Sequence, residues 1–111
     1  MKIARRKMGT VEVLTPDGPL TGETGEVFLE AVRTQLQTAQ PRIVVSMEDV
    51  AYVDSSGLEI LLDILDEVQG KSLSLKLANL TPTCREIIYL TDLIGEFDLF
   101  DDAEDAVRSF S

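Results

Sequence analysis

The chain has 111 residues, 44% hydrophobic and 27% charged, a balance typical of one soluble globular domain covering residues 1–111. It has a single cysteine, Cys84, and no histidine, which excludes an internal disulfide, a multi-cysteine zinc site and histidine-dependent nucleophilic catalysis. Ten basic residues stand against twenty acidic ones, a net charge of −10. Such a surface repels phosphate backbones and anionic lipids, so we expect neither nucleic acid nor membrane as a partner.

The amino-terminal segment resembles only the basic region of a signal peptide. Residues 1–8 are basic, but Gly9, Glu12 and Pro16 interrupt the apolar stretch that a signal peptide requires. No apolar run is long enough to cross a bilayer. The sequence therefore predicts a cytoplasmic protein without membrane insertion.

Strand and helix patterns alternate along the chain. Residues 2–8 and 10–15 predict two strands around Gly9, and Pro16–Pro19 predicts a loop. Helical spacing of apolar residues predicts helices over residues 22–39, 57–69 and 82–91, and a last helix capped by Asp101 and Glu104. Short apolar or alternating runs predict further strands at 42–47, 73–77 and 97–100.

The predicted element order is ββαβαβαβα. This order indicates an α/β fold with a mostly parallel or mixed sheet of about five strands and about four helices. Ligands and partners of such sheets usually contact the loops at the carboxyl ends of the strands. Those loops are Pro16–Thr21 and Asp49–Ser56.

The segment Tyr52–Glu59 combines an acid, two hydroxyls and a glycine at a predicted helix start. Ser56 and Glu59 match a capping box, which would occupy the Ser56 hydroxyl and leave Ser55 pointing outward. Gly57 would leave the helix entrance open to the backbone of another protein or to an anion. The same residue types form ordinary caps, so the residues alone leave an ordinary cap and a modification site both open.

Val53–Leu58, between a central strand and a helix, resembles the signature of the anti-sigma-factor antagonists, the bacterial STAS-domain family. Other segments follow in the family's order: Gly18–Leu20 before a helix, Asn79–Pro82 leading into a helix, Leu90–Leu93, and Phe97–Phe100 before the last helix. The resemblance covers nearly the whole chain. It implies a single STAS-like domain.

The resemblance also implies partner switching in transcription regulation. The family's phosphorylated hydroxyl matches Ser55, and its binding partners are a cognate serine kinase, often the anti-sigma factor itself, and a metal-dependent serine phosphatase. Family members perform no catalysis and use no cofactor or metal. The matching motif and partner-binding positions here are Asp54, Ser56, Gly57, Leu58 and Glu59, together with Leu20 and Thr21 of the other loop.

Two positions depart from the family pattern. Thr21 stands where an acidic residue is common, and Glu59 stands where many members have glycine. Both departures indicate a partner other than the best-known sporulation or stress kinases.

Two alternative functions belong to other classes of protein. One is a STAS subunit of a transporter or sensory assembly, in which the serine is an interface contact without phosphorylation. The other is a phosphate-accepting receiver domain, which needs an acid pair after its first strand and a lysine late in the chain. Val13–Thr15 contain no acid and no lysine follows Lys76, which disfavours the receiver.

The predicted helix 57–69 carries an apolar arc about 200° wide, broader than the ~100° that a surface helix needs. Leu58, Leu61, Leu62 and Leu65 form one face, which Ile60, Ile64 and Val68 extend. Either the extra arc packs on the helix at 82–91, or it forms one edge of a partner groove.

Overall fold

The computed structural model describes residues 1–73, 75–92 and 95–111. The strands are β1 (Lys2–Met8), β2 (Val11–Asp17), β3 (Ile43–Ser46), β4 (Lys76–Ala78) and β5 (Asp98–Phe100). The helices are α1 (Gly22–Leu36), α2 (Ser55–Gly70), α3 (Pro82–Leu90) and α4 (Ala103–Arg108). This order confirms the predicted ββαβαβαβα arrangement.

The five strands form one mixed sheet in the order β1-β2-β3-β4-β5. The first two strands make an antiparallel hairpin that closes where Met8 pairs with Val11, and Gly9 takes a φ of 64° in the turn. The other neighbours pair in parallel, as expected for strands joined by helical crossovers. The predicted α/β class and mixed sheet are therefore confirmed.

Both faces of the sheet are buried against helices. Side chains alternate along β2, so Leu14 joins the core that contains Phe28, Leu61 and Ile88 from α1, α2 and α3. Val13 points to the opposite face, where the shorter α4 covers it. Val11, Val13 and Leu14 of β2 are thus all buried, and they divide between two cores.

The bounds of β2 and α1 differ from the prediction. β2 continues through Pro16, which was predicted to lie in a loop; the register with β3 covers only Glu12–Leu14, so Pro16 pairs with β1 alone and its missing N–H interrupts no second ladder. α1 ends at Leu36 and not at Ala39, because residues 37–40 are exposed and offer no buried side chain to hold another turn. Ser74 of the predicted strand at 73–77 and Leu93 of the matched segment Leu90–Leu93 lie outside the described residues.

The caps of α3 and α4 give one confirmation and one correction. Thr81 caps α3 by accepting the Cys84 N–H at 3.3 Å, with Pro82 at the first helical position, and this confirms the predicted helix start at residue 82. Asp102, not Asp101, caps α4, and its carboxylate accepts the Asp105 N–H at 2.8 Å. The predicted capping box at Asp101 is wrong by one residue, which places Glu104 outside the capping position.

The broad apolar arc of α2 is used inside the protein. Among the described residues, the helix that α2 chiefly contacts is α1, and not the helix at 82–91 as one interpretation had it. A Cβ on Gly25 of α1 would lie 2.7 Å from Cγ1 of Ile60, so the two helices pack closely there. Further along, Arg33 of α1 binds the Glu67 carboxylate at 2.6 Å. Within residues 1–73, 75–92 and 95–111, no helix has the length and apolar character needed to span a membrane.

Candidate functional site

The two loops singled out in the sequence lie side by side and are hydrogen-bonded to each other. Leu20 and Val53 form an isolated parallel bridge. The Leu20 N–H donates to the Tyr52 carbonyl at 3.0 Å, and the Asp54 N–H donates to the Leu20 carbonyl at 3.1 Å. The bridge extends the sheet beyond β2 and β3 and holds the backbone in front of α2 in one position.

Asp54 is the N-cap of α2. Its Oδ1 accepts the Gly57 N–H at 2.8 Å, and its carbonyl accepts the Leu58 N–H at 2.8 Å. The predicted capping box of Ser56 and Glu59 is therefore wrong: the helix begins two residues earlier, because the bond from Asp54 to Leu20 holds Asp54 in an extended conformation directly before the first turn. Ser55 and Ser56 become the first two residues of the helix.

This cap leaves two backbone N–H groups at the helix start without an acceptor among the described residues. Of the four N–H groups that a helix start cannot satisfy internally, those of Asp54 and Gly57 have the partners given above. The N–H groups of Ser55 and Ser56 have no acceptor among the described residues. The side chains of both serines are exposed, as expected for Ser55.

Gly57 serves an internal contact. A Cβ at this position would lie 2.1 Å from the Leu20 carbonyl oxygen and 3.1 Å from Cγ1 of Val53. The expectation that Gly57 opens the entrance to an external backbone or anion is thus corrected, because the close neighbour is the bridged loop of the same chain. Gly57 and Leu20 are both buried, and they lie beneath the exposed residues of the site.

The start of α1 lies beside the start of α2. A Cβ on Gly22 would be 3.3 Å from Cβ of Ser56 and 3.5 Å from its Oγ. Thr21 caps α1 by accepting the Thr24 N–H at 3.4 Å, and its own N–H donates to Oγ1 of Thr24 at 2.8 Å. The Thr21 hydroxyl is therefore engaged in the cap, while the positive ends of two helix dipoles meet near Ser56.

A family model of the STAS domain matches residues 2–106. The chain belongs to the STAS domain family. A comparison with curated proteins found no relative in sequence.

Solved structures show the same STAS fold. An anti-sigma factor antagonist from Mycobacterium paratuberculosis superimposes with a TM-score of 0.84 at 23% identity, over 97% of this chain and 92% of that one. The phosphorylated form of the Bacillus cell fate determinant SpoIIAA gives 0.72 at 22% identity, over 99% and 100% of the two chains. The murine anion transporter Slc26a9 gives 0.78 at 18% identity, over 94% of this chain and 18% of the transporter. At these identities the likeness shows the fold alone.

Residues that the sequence did not single out for the site also hold the loop of this STAS domain. The Thr81 hydroxyl donates to the Val50 carbonyl at 3.0 Å, and the Cys84 thiol donates to the same oxygen at 3.2 Å. Burial raises the pKa of the Cys84 thiol, against the smaller opposing effect of its hydrogen bond with Thr81. The Thr81-Pro82 pair signals a cap, but no local pattern reveals a contact 31 residues away.

Tyr52 is the first residue of the segment Tyr52–Glu59, and the sequence did not identify it as a partner-binding position. Its carbonyl is held by Leu20 and the next residue, Val53, is buried, whereas the Tyr52 side chain is 46% exposed. We call the exposed residues Tyr52, Asp54, Ser55, Ser56 and Glu59 the α2 entrance. Leu58 is half-buried below it.

Proposed function

We propose that this STAS domain is a partner-binding module that is switched off by phosphorylation of Ser55. The observation that carries the proposal is the position of Ser55, exposed at the first residue of α2 beside an N–H group that has no acceptor among the described residues. The family membership supports the assignment, since Ser55 follows Asp54 as the family's modified hydroxyl does. The same resemblance supports a serine kinase of the anti-sigma type as binding partner and a metal-dependent phosphatase as the resetting enzyme.

The helix entrance would tolerate a phosphate without refolding. A phosphoserine carries about −1.5 to −2 charges at neutral pH, and negative charge is stabilised at a helix N-terminus. The N–H groups of Ser55 and Ser56 lie next to the modified side chain and are suitable donors to phosphate oxygens. We therefore expect the phosphorylated chain to keep the same fold.

The same phosphate would block a partner that covers the entrance. Asp54 is adjacent and Glu59, one turn further along α2, lies on the same face as Ser55. A partner surface that fits the neutral serine would bury an additional dianion beside two carboxylates, and burying an unpaired charge costs several kcal/mol. The switch thus acts by direct repulsion and desolvation and does not need a conformational change.

The test begins with site mapping on the chain isolated from its own cells. Phosphate on Ser55 supports the proposal, and phosphate on Ser56 would overturn the residue assignment. A quantitative binding measurement with the captured partner then compares wild type, Ser55→Ala and Ser55→Asp, with circular dichroism as the folding control. Ser111→Asp, an exposed terminal serine, adds the same charge away from the entrance.

We expect Ser55→Ala and Ser111→Asp to bind as wild type does and Ser55→Asp to bind about tenfold or more weakly. A carboxylate has less charge than a phosphate, so the effect of Ser55→Asp should be smaller than that of phosphoserine. High salt should restore little binding, because a buried contact is poorly screened. Equal binding by the two Ser55 variants would mean that Ser55 is not the switch.

A second function is favoured by the presence of the fold inside an anion transporter. In that case the domain would be a constitutive subunit of a transporter or sensory assembly, and Ser55 an unmodified interface contact. This function predicts the same partner in the presence and absence of phosphate at Ser55.

A further inference from the structure

A cavity of about 310 Å³ lies at the end of the sheet remote from the α2 entrance. Its lining includes Val32 of α1, Ile43 at the start of β3, Val68 of α2 and Leu75 just before β4. Between Ser55 and Val68 the helix rises by about 20 Å. We call this space the basal cavity, and it is separate from the site proposed for phosphorylation.

The basal cavity is lined by side chains of the main core. Val32, Leu36, Val68 and Leu75 belong to that core, and each is at most 4% exposed. Protein cores pack so closely that voids larger than a water molecule are few. An apolar cavity of this volume is at the lower end of the size range of ligand pockets, and it is therefore suited to a small apolar group.

A second space of about 570 Å³, which we call the outer recess, adjoins the basal cavity. The two share Leu36, Pro41, Leu73 and Phe110 as lining residues. The outer recess adds exposed polar residues, among them Lys71. The combined site is thus apolar at its inner end and polar at its outer end, which fits an amphipathic molecule.

The outer recess is basic. Half-buried Arg42 and exposed Lys71 line it, whereas none of the acidic residues in the described part of the chain lines either the recess or the cavity. Arg33 binds the Glu67 carboxylate at 2.6 Å, and within residues 1–73, 75–92 and 95–111 no carboxylate lies within ion-pair distance of Arg42 or Lys71. Arg42 donates one N–H to the Thr10 hydroxyl at 2.9 Å and keeps further guanidinium donors. This arrangement favours an anionic group in the recess.

Lys76 also lines the basal cavity, but its ammonium group already has partners. Nζ of Lys76 lies 3.6 Å from the Asp98 carboxylate, and 4.8 Å and 5.2 Å from the ring centroids of Phe110 and Phe100. These contacts help to hold the Phe110 ring, which is a wall of both the cavity and the recess. An anionic ligand group is therefore assigned to Arg42 and Lys71, and not to Lys76.

We propose that the basal cavity and the outer recess bind a medium-chain carboxylate. Its alkyl chain fills the cavity beside Val68 and Leu75, and its carboxylate binds Arg42 and Lys71 in the recess. A neutral or cationic amphiphile of the same length lacks the second contact. This interaction goes beyond the proposed function and does not depend on Ser55, which lies at the opposite end of α2.

Isothermal titration calorimetry of the full chain with decanoate tests the site. Decanol and decylamine have the same chain length and are measured, like decanoate, below the concentrations at which they aggregate. We expect decanoate to bind, decanol to bind about tenfold or more weakly because the ionic contact is missing, and decylamine not to bind. Methyl signals of Val32, Val68 and Leu75 in the isotope-labelled chain should shift with decanoate, and amide signals at the α2 entrance should not.

Charge variants test the position of the carboxylate. Arg42→Gln combined with Lys71→Gln should weaken decanoate binding by about tenfold or more and leave decanol binding unchanged. Lys2→Gln combined with Arg85→Gln removes the same charge at exposed positions outside the recess and should have no effect. Ser55→Asp should also bind decanoate as wild type does, which separates this proposal from the phosphorylation switch.

Two further variants test the position of the alkyl chain. Val68→Phe should abolish binding by filling the cavity, with thermal unfolding as the folding control. Leu73→Glu changes a half-buried residue that lines both spaces, and its carboxylate should repel decanoate. This second variant keeps the test decisive where Val68→Phe does not fold.

Four results would overturn the proposal. Equal affinity for decanol would show that the recess does not select an anion. Undiminished binding by the Arg42→Gln and Lys71→Gln double variant would mean that these cations only compensate the negative ends of α1 and α2. Co-sedimentation with phosphatidylcholine vesicles, without binding of free decanoate, would identify a membrane surface as the partner. Absence of binding by hexanoate, decanoate and dodecanoate would show that the cavity accepts no such ligand.

Discussion

At the scale of single residues, neighbouring positions at the start of α2 have separate roles. Asp54 uses its carboxylate to cap the helix, Gly57 permits the approach of the Leu20 carbonyl, and Ser55 makes neither contact. The residue proposed for modification is therefore one that the local structure does not require. Substitution of Ser55 should change binding without a large change in stability, whereas substitution of Asp54 or Gly57 should lower stability.

Replacement of Asp54 by alanine should lower the free energy of unfolding by about 1 kcal/mol, because the Gly57 N–H loses its acceptor at the helix start. Ser56→Ala is the matched control and should cost much less, since Ser56 is not the cap. Denaturant midpoints with unchanged m-values provide the measurement. A larger loss for Ser56→Ala than for Asp54→Ala would contradict the cap seen here.

Replacement of Gly57 by alanine should destabilise the protein by about 3 kcal/mol, since the added Cβ would overlap the Leu20 carbonyl and force the two loops apart. Gly70→Ala is the control in the same helix. No atom lies within 4 Å of a Cβ placed there, so that variant should be neutral or slightly more stable. Similar midpoints for both variants would show that the loops adjust without cost.

At the scale of elements, α2 connects the candidate site to α1. The helix begins at the loop bridge, packs on Gly25 through Ile60, and is linked near its far end by the Arg33–Glu67 ion pair. The hydrogen bond from Arg33 lowers the pKa of Glu67, and desolvation of the carboxylate opposes that effect. The pair is largely exposed, so its contribution to stability is small and sensitive to salt.

The Glu67 pKa gives the pH dependence of this contact. At pH values above the ordinary carboxyl pKa of 4.5, Glu67 is ionised in both the folded and unfolded states and the pair contributes fully. As the pH falls through the lowered pKa of the folded state, Glu67 is protonated and the contribution is lost. The stability difference between wild type and Glu67→Gln should therefore shrink toward acid pH.

Denaturation of both proteins across this pH range, together with a titration of the Glu67 carboxyl by NMR, tests that expectation. Glu59→Gln, on an exposed position of the same helix, serves as the control for removing one acid. A stability difference that grows toward acid pH would have the wrong sign for an ion pair.

At the scale of the whole molecule, charge is distributed unevenly between the sheet edge and the rest of the surface. The basic residues concentrated in β1 contrast with a chain whose net charge is −10. Mutual repulsion among acidic residues destabilises a compact state. The α2 entrance contains two acids, whereas β1 contains four basic residues.

We expect the free energy of unfolding to rise as sodium chloride is increased from low to moderate concentration, because salt screens repulsion among the twenty acidic residues. Urea denaturation at several salt concentrations measures the effect. Arg85→Glu, which adds negative charge on exposed α3, should steepen the dependence. Stability that falls with salt would mean that favourable ion pairs outweigh the repulsion.

Much of the fold could be predicted from local sequence patterns, each of which spans only a few neighbouring residues. The two short strands around Gly9, the helical spacing in α2 and the Thr81-Pro82 start are set by local geometry, so element order and sheet class could be predicted. The motif Val53–Leu58 likewise identified the family, because its residue types and its place between strand and helix are readable along the chain. The exposure of the Ser55 side chain could likewise be predicted from the sequence.

Tertiary contacts decided the remaining details of the site. Asp54, and not Ser56, caps α2 because the carbonyl of Leu20, 34 residues earlier, holds the Asp54 backbone extended. Gly57 is needed because the Leu20 carbonyl approaches its backbone closely. The helix that packs against the broad apolar arc of α2 proved to be α1. Sequence spacing shows which residues share a face of one helix or strand. Which residue of another element packs against that face depends on how the elements assemble. Leu20 and Val53 come together only in the assembled sheet.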